Sequence, residues 1–130
     1  MARVLIVDDA ALARRIMRNA LCAGGHEVAG EASTGGAAIR EYEAQRPDLV
    51  MMDVTMPGMD GLEASKRILE LDSSARIIMV TSINREGVVR ESLRSGVSAY
   101  LVKPYNSEKL LRAVDRALAG NRGSDLNPAA

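Results

Sequence analysis

Leu49-Val-Met-Met-Asp-Val-Thr-Met-Pro-Gly-Met-Asp-Gly61 is the stretch on which the fold turns. Four apolar residues run without alternation into a carboxylate, Asp53, and the chain then loosens at Pro57, Gly58 and Gly61. A short continuous apolar run bounded by turn residues reads as a strand covered on both faces. An acid at its carboxyl end has to be explained by something other than packing.

Working outward, the same pattern recurs. Residues 4–7 form a β-branched apolar run closed by Asp8-Asp9, and residues 27–32 read as a second strand. Residues 76–81 and 99–102 supply a fourth and a fifth, closed by Thr81-Ser82 and Lys103-Pro104. Between them lie helical patterns. The first places Leu12, Ile16 and Ala20 on one face with Ala13, Met17 and Leu21 beside them, Arg14, Arg15 and Arg18 pointing elsewhere, and Gly24-Gly25 as the stop. Residues 37–46 end at Pro47. Residues 62–71 carry Leu62, Ser65/Lys66 and Leu69 by turns, and residues 86–95 form a less apolar helix ended by Gly96. Asn106-Ser107 offers an N-cap for a last helix with Leu110, Ala113, Val114, Ala117 and Leu118 along one stripe. Five alternations of strand and helix predict an α/β domain: a doubly wound, five-stranded parallel sheet with helices on both faces, for which the flavodoxin-like 2-1-3-4-5 order is taken as the expectation. The domain is expected over residues 1–119, with a frayed tail over residues 120–130.

The composition bounds what such a domain can do. In 130 residues, 17 Lys and Arg balance 17 Asp and Glu, so nothing in the overall charge suggests a nucleic-acid or membrane surface. Any electrostatic function is local. Phe and Trp are absent, which leaves the seven Met to fill irregular core space. Cys22, the single cysteine, falls in an apolar helical pattern and is expected to be an inert core thiol. His26, in a Gly-Gly-His-Glu turn, is expected to be solvated, Asp60 to be a turn residue before Gly61, and Met56 and Met59 to pack the loop. The amino-terminal apolar run is too short for a signal peptide or a membrane span, so a cytoplasmic location is expected.

In open parallel sheets ligands bind outside the carboxyl ends of the strands, where the strand order reverses. With the order 2-1-3-4-5, the first and third strands meet there, bringing Asp8, Asp9 and Asp53 into one pocket beside Thr81 and Lys103. Two like charges about 4 Å apart at an effective dielectric near 20 repel by about 4 kcal/mol, so a proton or a cation has to join them. An all-oxygen, carboxylate-rich site suits Mg²⁺, and the His and thiolate ligands of zinc are missing. A carboxylate beside such a cation is a competent nucleophile toward phosphorus. Asp53 is then the expected acceptor, with Lys103 and Thr81 serving the phosphoryl oxygens.

The set Val7-Asp8-Asp9, Met52-Asp53-Val54-Thr55-Met56-Pro57-Gly58-Met59-Asp60-Gly61, Val80-Thr81-Ser82 and Val102-Lys103-Pro104 resembles the receiver domain of two-component response regulators. The likeness runs from Val4 to about Ala119 and is nearest to stand-alone chemotaxis response regulators, on the expectation that no DNA-binding or enzymatic domain follows. The Val28-Ala-Gly-Glu-Ala32 strand shares it. The resemblance implies that Asp53 takes a phosphoryl group from a sensor histidine kinase. It makes Asp8, Asp9, Asp53 and the backbone carbonyl of Thr55 the Mg²⁺ ligands, Lys103 the phosphate-binding lysine and Thr81 the switch hydroxyl. It also implies a cis Lys103-Pro104 peptide, Tyr100 as the aromatic that moves with Thr81, and an output face over the fourth helix, fifth strand and fifth helix, roughly residues 86–118. A monomer acting on a downstream protein, with the flagellar switch as the candidate target, is expected, with no enzymatic activity beyond its own phosphorylation and dephosphorylation.

Two positions depart from the family's habit. Tyr105 stands where Phe is usual, and Ile83 stands where polar side chains are common, which predicts a slowed attack of water on the phosphoryl group. Rival readings stay open at this point. A phosphorelay intermediate or another stand-alone receiver fits the same residues. An aspartyl-phosphate phosphohydrolase fits poorly, because Thr55 stands where its second acid belongs. A metal-free interaction module would not need every chemical position filled.

Overall fold

The structure is a computed structural model that describes residues 1–82, 87, 90, 91 and 94–120. Its strands are β1 (Arg3–Val7), β2 (Glu27–Ala32), β3 (Leu49–Asp53), β4 (Ile77–Thr81) and β5 (Ala99–Val102). They form one parallel sheet, as the alternation predicts, in the expected order β2-β1-β3-β4-β5. Around it lie α1 (Ala11–Ala23), α2 (Gly35–Gln45), α3 (Gly61–Leu71) and, last in the chain, α4 (Ser107–Leu118). Gly87, Arg90, Glu91 and Arg94 are helical as well. The rest of the helix predicted over residues 86–95, Ile83, and the predicted tail beyond Gly120 lie outside the described residues. No helix among the described residues is long and apolar enough to cross a membrane.

Period-2 geometry sorts each strand's apolar residues into two cores. Val4, Ile6, Met51, Ile78 and Val80 face α1 and α4, where they meet Met17, Leu21, Leu110 and Val114. Leu5, Val7, Val50, Met52, Ile77 and Met79 face the other way, onto Ala38, Tyr42, Ala64 and Ile68 of α2 and α3. Five of the seven methionines are buried, as the lack of Phe and Trp requires. Met56 is buried and Met59 half-buried against the second core, so both pack the loop.

Helix ends follow local chemistry. Thr34, Asp60 and Asn106 cap α2, α3 and α4, each accepting a backbone N–H three residues on. Asp60 is thus more than the turn residue expected. Several other expectations are corrected. On α1 the buried stripe is Met17-Ala20-Leu21, while Leu12 and Ile16 are 67% and 49% exposed. The helix has two overlapping apolar stripes, and the sheet takes the one carrying the long, flexible Met17. Cys22 follows Leu21 round the helix and is exposed. On α3 the burial falls on Ala64, Ser65 and Ile68, with Leu62 and Leu69 at the margins. His26 is half-buried and its Nδ1 accepts the Ala2 N–H at 3.0 Å, which ties the turn to the start of β1.

Candidate phosphoryl and cation site

Four strands of the sheet deliver chemistry to one end. Asp8 follows β1, Asp53 closes β3, Thr81 closes β4 and Lys103 follows β5. Asp8, Asp53 and Thr81 are each no more than 5% exposed, whereas Asp9 is exposed. One carboxylate oxygen from each of Asp8, Asp9 and Asp53 lies within 4.8 Å of the others. The ammonium of Lys103 stands 3.1 Å from Asp8 Oδ2 and 3.6 Å from Asp53 Oδ1. The side chains of Asp8, Asp9, Asp53 and Lys103 converge, Thr81 is buried at the end of the neighbouring strand, and Tyr100 is half-buried against the α2–α3 core. Thr55 is exposed two residues past Asp53.

Backbone bonds hold the frame. The Lys103 N–H donates to the Thr81 carbonyl at 2.6 Å, joining the two residues expected to serve the phosphoryl oxygens. The Lys103-Pro104 peptide is cis. The Gly61 N–H donates to the Val54 carbonyl at 2.8 Å. A Cβ on Gly61 would stand 1.9 Å from the Asp53 carbonyl oxygen, so α3 approaches β3 only because this residue has no side chain.

The electrostatics match the crowding. Burial, and then the charge of Asp8, push the Asp53 carboxyl above its ordinary range, and Lys103 offsets only part of this. Burial pulls the Lys103 ammonium down, but its hydrogen bond to Asp8 and the charge of Asp53 outweigh that and raise it. Burial also raises the Tyr105 phenol, which packs against the α1–α4 core. Lys103 is the cation that the structure places against Asp8 and Asp53.

The donor set fits Mg²⁺. Octahedral oxygens at about 2.1 Å from the ion lie about 3 Å apart when adjacent and about 4.2 Å apart when opposite, so acids spread over no more than 4.8 Å need to close by less than about 2 Å. The ligand atoms are all oxygen, and the open side at Asp9 leaves room for the waters that Mg²⁺ keeps.

The sequence reading missed two residues of this end. Arg14, expected to point away, turns inward: its Nη1 donates to the Asp8 carbonyl at 2.7 Å and its Nε to Glu31 Oε1 at 3.0 Å. The signal was an acid near the end of β2, opposite the basic residues of the helix that follows β1.

Comparisons with known proteins agree with this geometry. The response regulator receiver domain family matches residues 4–115. The chemotaxis protein CheY of Bacillus subtilis is 40% identical over 116 residues, which is 89% of this chain and 97% of that protein. A two-component response regulator of the LuxR family from an Aurantimonas species superposes with a TM-score of 0.89 at 34% identity, over 94% of this chain and 88% of that one. The CheX–CheY–BeF₃–Mg²⁺ complex of Borrelia burgdorferi gives 0.84 at 32% identity, over 86% and 85%. The chain belongs to the response regulator receiver domain family and is CheY-like.

Proposed function

We propose that the chain is a single-domain response regulator in which Asp53 accepts a phosphoryl group from the phosphohistidine of a sensor kinase. The observation that carries this is the joint placement of Asp53 against Lys103, at 3.6 Å, and within 4.8 Å of two further acids. In the transfer an Asp53 carboxylate oxygen forms the new P–O bond, the P–N bond to the donor imidazole breaks, and the imidazole leaves with its electron pair to be protonated by water. Asp8, Asp9, Asp53 and the Thr55 carbonyl would hold Mg²⁺, which when bound neutralises the crowded oxygens. A relative solved with Mg²⁺ supports the assignment. Lys103 then pairs with a phosphoryl oxygen as a point charge, and the Thr81 hydroxyl donates to another.

The acyl phosphate carries roughly 1.5 to 2 negative charges in place of the one on the Asp53 carboxylate, a net gain of about one charge at the buried ends of β3 and β4. Moving a population from almost wholly inactive to almost wholly active requires about 5.5 kcal/mol of differential interaction. Two charge-assisted bonds at about 1.5–3 kcal/mol each reach that scale. Thr81 and Tyr100 stand on neighbouring strands, Thr81 opposite Val102, so an inward shift of Thr81 opens space toward Tyr100 and the output face that includes β5 and α4.

The downstream role proposed is chemotaxis, by action on the flagellar switch, on the strength of the CheY relatives. A role as another kind of receiver is the second reading, because a LuxR-family regulator superposes equally well. Transfer from autophosphorylated histidine kinases to wild type and to Asp53→Asn tests the acceptor. Capture of a flagellar-switch protein by the phosphorylated form alone supports chemotaxis, and onward transfer to a second histidine protein favours a phosphorelay.

A further inference from the structure

The Arg14–Glu31–Arg18 cluster, on α1 and β2, is not used by the chemistry above, yet one of its members touches the site's backbone. Arg14 donates to the Asp8 carbonyl at 2.7 Å, and that carbonyl belongs to the peptide joining Asp8 to Asp9. Glu31 holds Arg14 through Oε1 at 3.0 Å, and its other oxygen is held by Arg18 Nε at 3.0 Å. Asp8 is gripped from the remaining directions as well. Its N–H donates to the Ala32 carbonyl at 3.1 Å, its Oδ1 accepts from Ala10 N at 2.9 Å, and its Oδ2 meets Lys103.

We infer that Arg14 is a positioning residue of the cation site: by holding the Asp8–Asp9 peptide plane it aims both carboxylates at the position that Mg²⁺ would take, and Glu31 keeps it in that pose. The inference rests on the reading of Asp8 and Asp9 as Mg²⁺ ligands. Rotation of one peptide plane redirects the side chains on either side of it, so a fixed plane fixes the relative orientation of Asp8 and Asp9. Asp9, exposed on the open side, depends on this most. The planar guanidinium can reach a carbonyl and a carboxylate at once, which a lysine ammonium cannot do with the same geometry. Arg14 is also the more buried of the two arginines on Glu31, with 20% of its side chain exposed against 45% for Arg18.

The bland alternative is a staple between α1 and β2, of the kind exposed ion pairs form with little effect. The two differ in sign as well as in size. Removing a cation beside three acids strengthens Mg²⁺ binding if charge is all that changes, whereas loss of positioning weakens it.

The test titrates Mg²⁺ into the full chain by calorimetry and measures acetyl-phosphate labelling against Mg²⁺ concentration, for wild type, Arg14→Gln, Arg14→Lys, Arg18→Gln and Glu31→Gln. Residues that orient metal ligands cost roughly tenfold or more in affinity when removed, and that is the loss expected for Arg14→Gln. Its half-saturating Mg²⁺ should rise in parallel, with the maximal labelling rate at saturating Mg²⁺ unchanged, a split that a fall in folded fraction would not produce. Arg14→Lys should recover part of the affinity, Glu31→Gln should lose less than Arg14→Gln, and Arg18→Gln should stay within about twofold of wild type. If Arg14→Gln does not fold, Arg14→Lys and Glu31→Gln carry the comparison with Arg18→Gln. Unchanged or tighter Mg²⁺ binding in the Arg14 variants overturns the inference, as does an equal loss in Arg18→Gln. Wild type that binds Mg²⁺ and labels normally beside such variants leaves the proposed function standing; wild type indifferent to Mg²⁺ overturns both.

Discussion

The Lys103 ammonium lies between two acids of the site, 3.1 Å from Asp8 Oδ2 and 3.6 Å from Asp53 Oδ1, so the chain supplies its own counter-ion to the carboxylates. Under the proposed function that placement makes the lysine a competitor of the divalent ion and, once a phosphoryl group is attached, its partner. Replacing it by Ala removes a cation next to the ligands. Lys103→Ala should bind Mg²⁺ more tightly by about 1 kcal/mol, the attraction of one charge pair at high dielectric, or about fivefold. It should still accept a phosphoryl group, while phosphorylation-dependent partner binding falls. Calorimetric titration of Mg²⁺ checks the first part, and weaker binding than wild type contradicts it.

Asp53 is held in its charged form at a cost, since burial and the Asp8 charge raise its carboxyl above the ordinary range. A group whose folded pKa is raised stabilises the fold fully below its unfolded pKa, near 3.9, and loses that contribution as pH climbs through the higher folded value. Asp53→Asn should therefore be more stable than wild type at pH 7 without Mg²⁺, by about 1 kcal/mol, after loss of the Lys103 pair is set against relief of like-charge repulsion. The difference should shrink as pH falls toward 4. Urea denaturation at a series of pH values measures it, and a variant less stable than wild type at pH 7 contradicts the assignment of the shift to burial and the Asp8 charge.

Gly61 has no room for a side chain, because its Cβ would lie 1.9 Å from the Asp53 carbonyl oxygen, a backbone atom that cannot swing away. Gly61→Ala should cost about 3 kcal/mol, at the upper end of overpacking penalties, and should displace the acceptor strand. Chemical denaturation together with labelling of Asp53 reads both. A loss under about 0.5 kcal/mol, the scale of a neutral surface change, would mean that α3 is held less closely than the geometry shows.

The position of Cys22 separates the structure from the periodicity argument. It is exposed on α1, so a thiol-specific reagent should modify it in the native protein without denaturant. Modification that waits for unfolding would restore the buried thiol that the apolar pattern predicts.

How far the sequence speaks depends on whether a feature is set locally or by packing. The acids at the ends of β1 and β3, Thr81 and Lys103 were legible because strand ends announce themselves as breaks in apolar runs, and parallel topology gathers those ends. The Asn106 cap was legible because capping is a three-residue affair. The phase of α1 was not. Leu12-Ile16-Ala20 and Ala13-Met17-Leu21 are adjacent stripes of similar apolarity, and only the strands beneath decide which is buried. Cys22 and Arg14 were misread for the same reason, since a small rotation of the helix exposes one and turns the other toward Glu31. His26 was misread because its partner, the Ala2 N–H, belongs to a different element.

The account's central claim is that Asp53 is a phosphoryl acceptor in a cation site built with Asp8 and Asp9. The most direct measurement is intact mass of the protein after acetyl phosphate with Mg²⁺, repeated with a chelator, followed by localisation of the modified residue after borohydride reduction. The account predicts one added phosphoryl group, on Asp53, lost with the chelator and lost in Asp53→Asn. Full labelling of Asp53→Asn, or labelling of wild type that ignores the chelator, would contradict it.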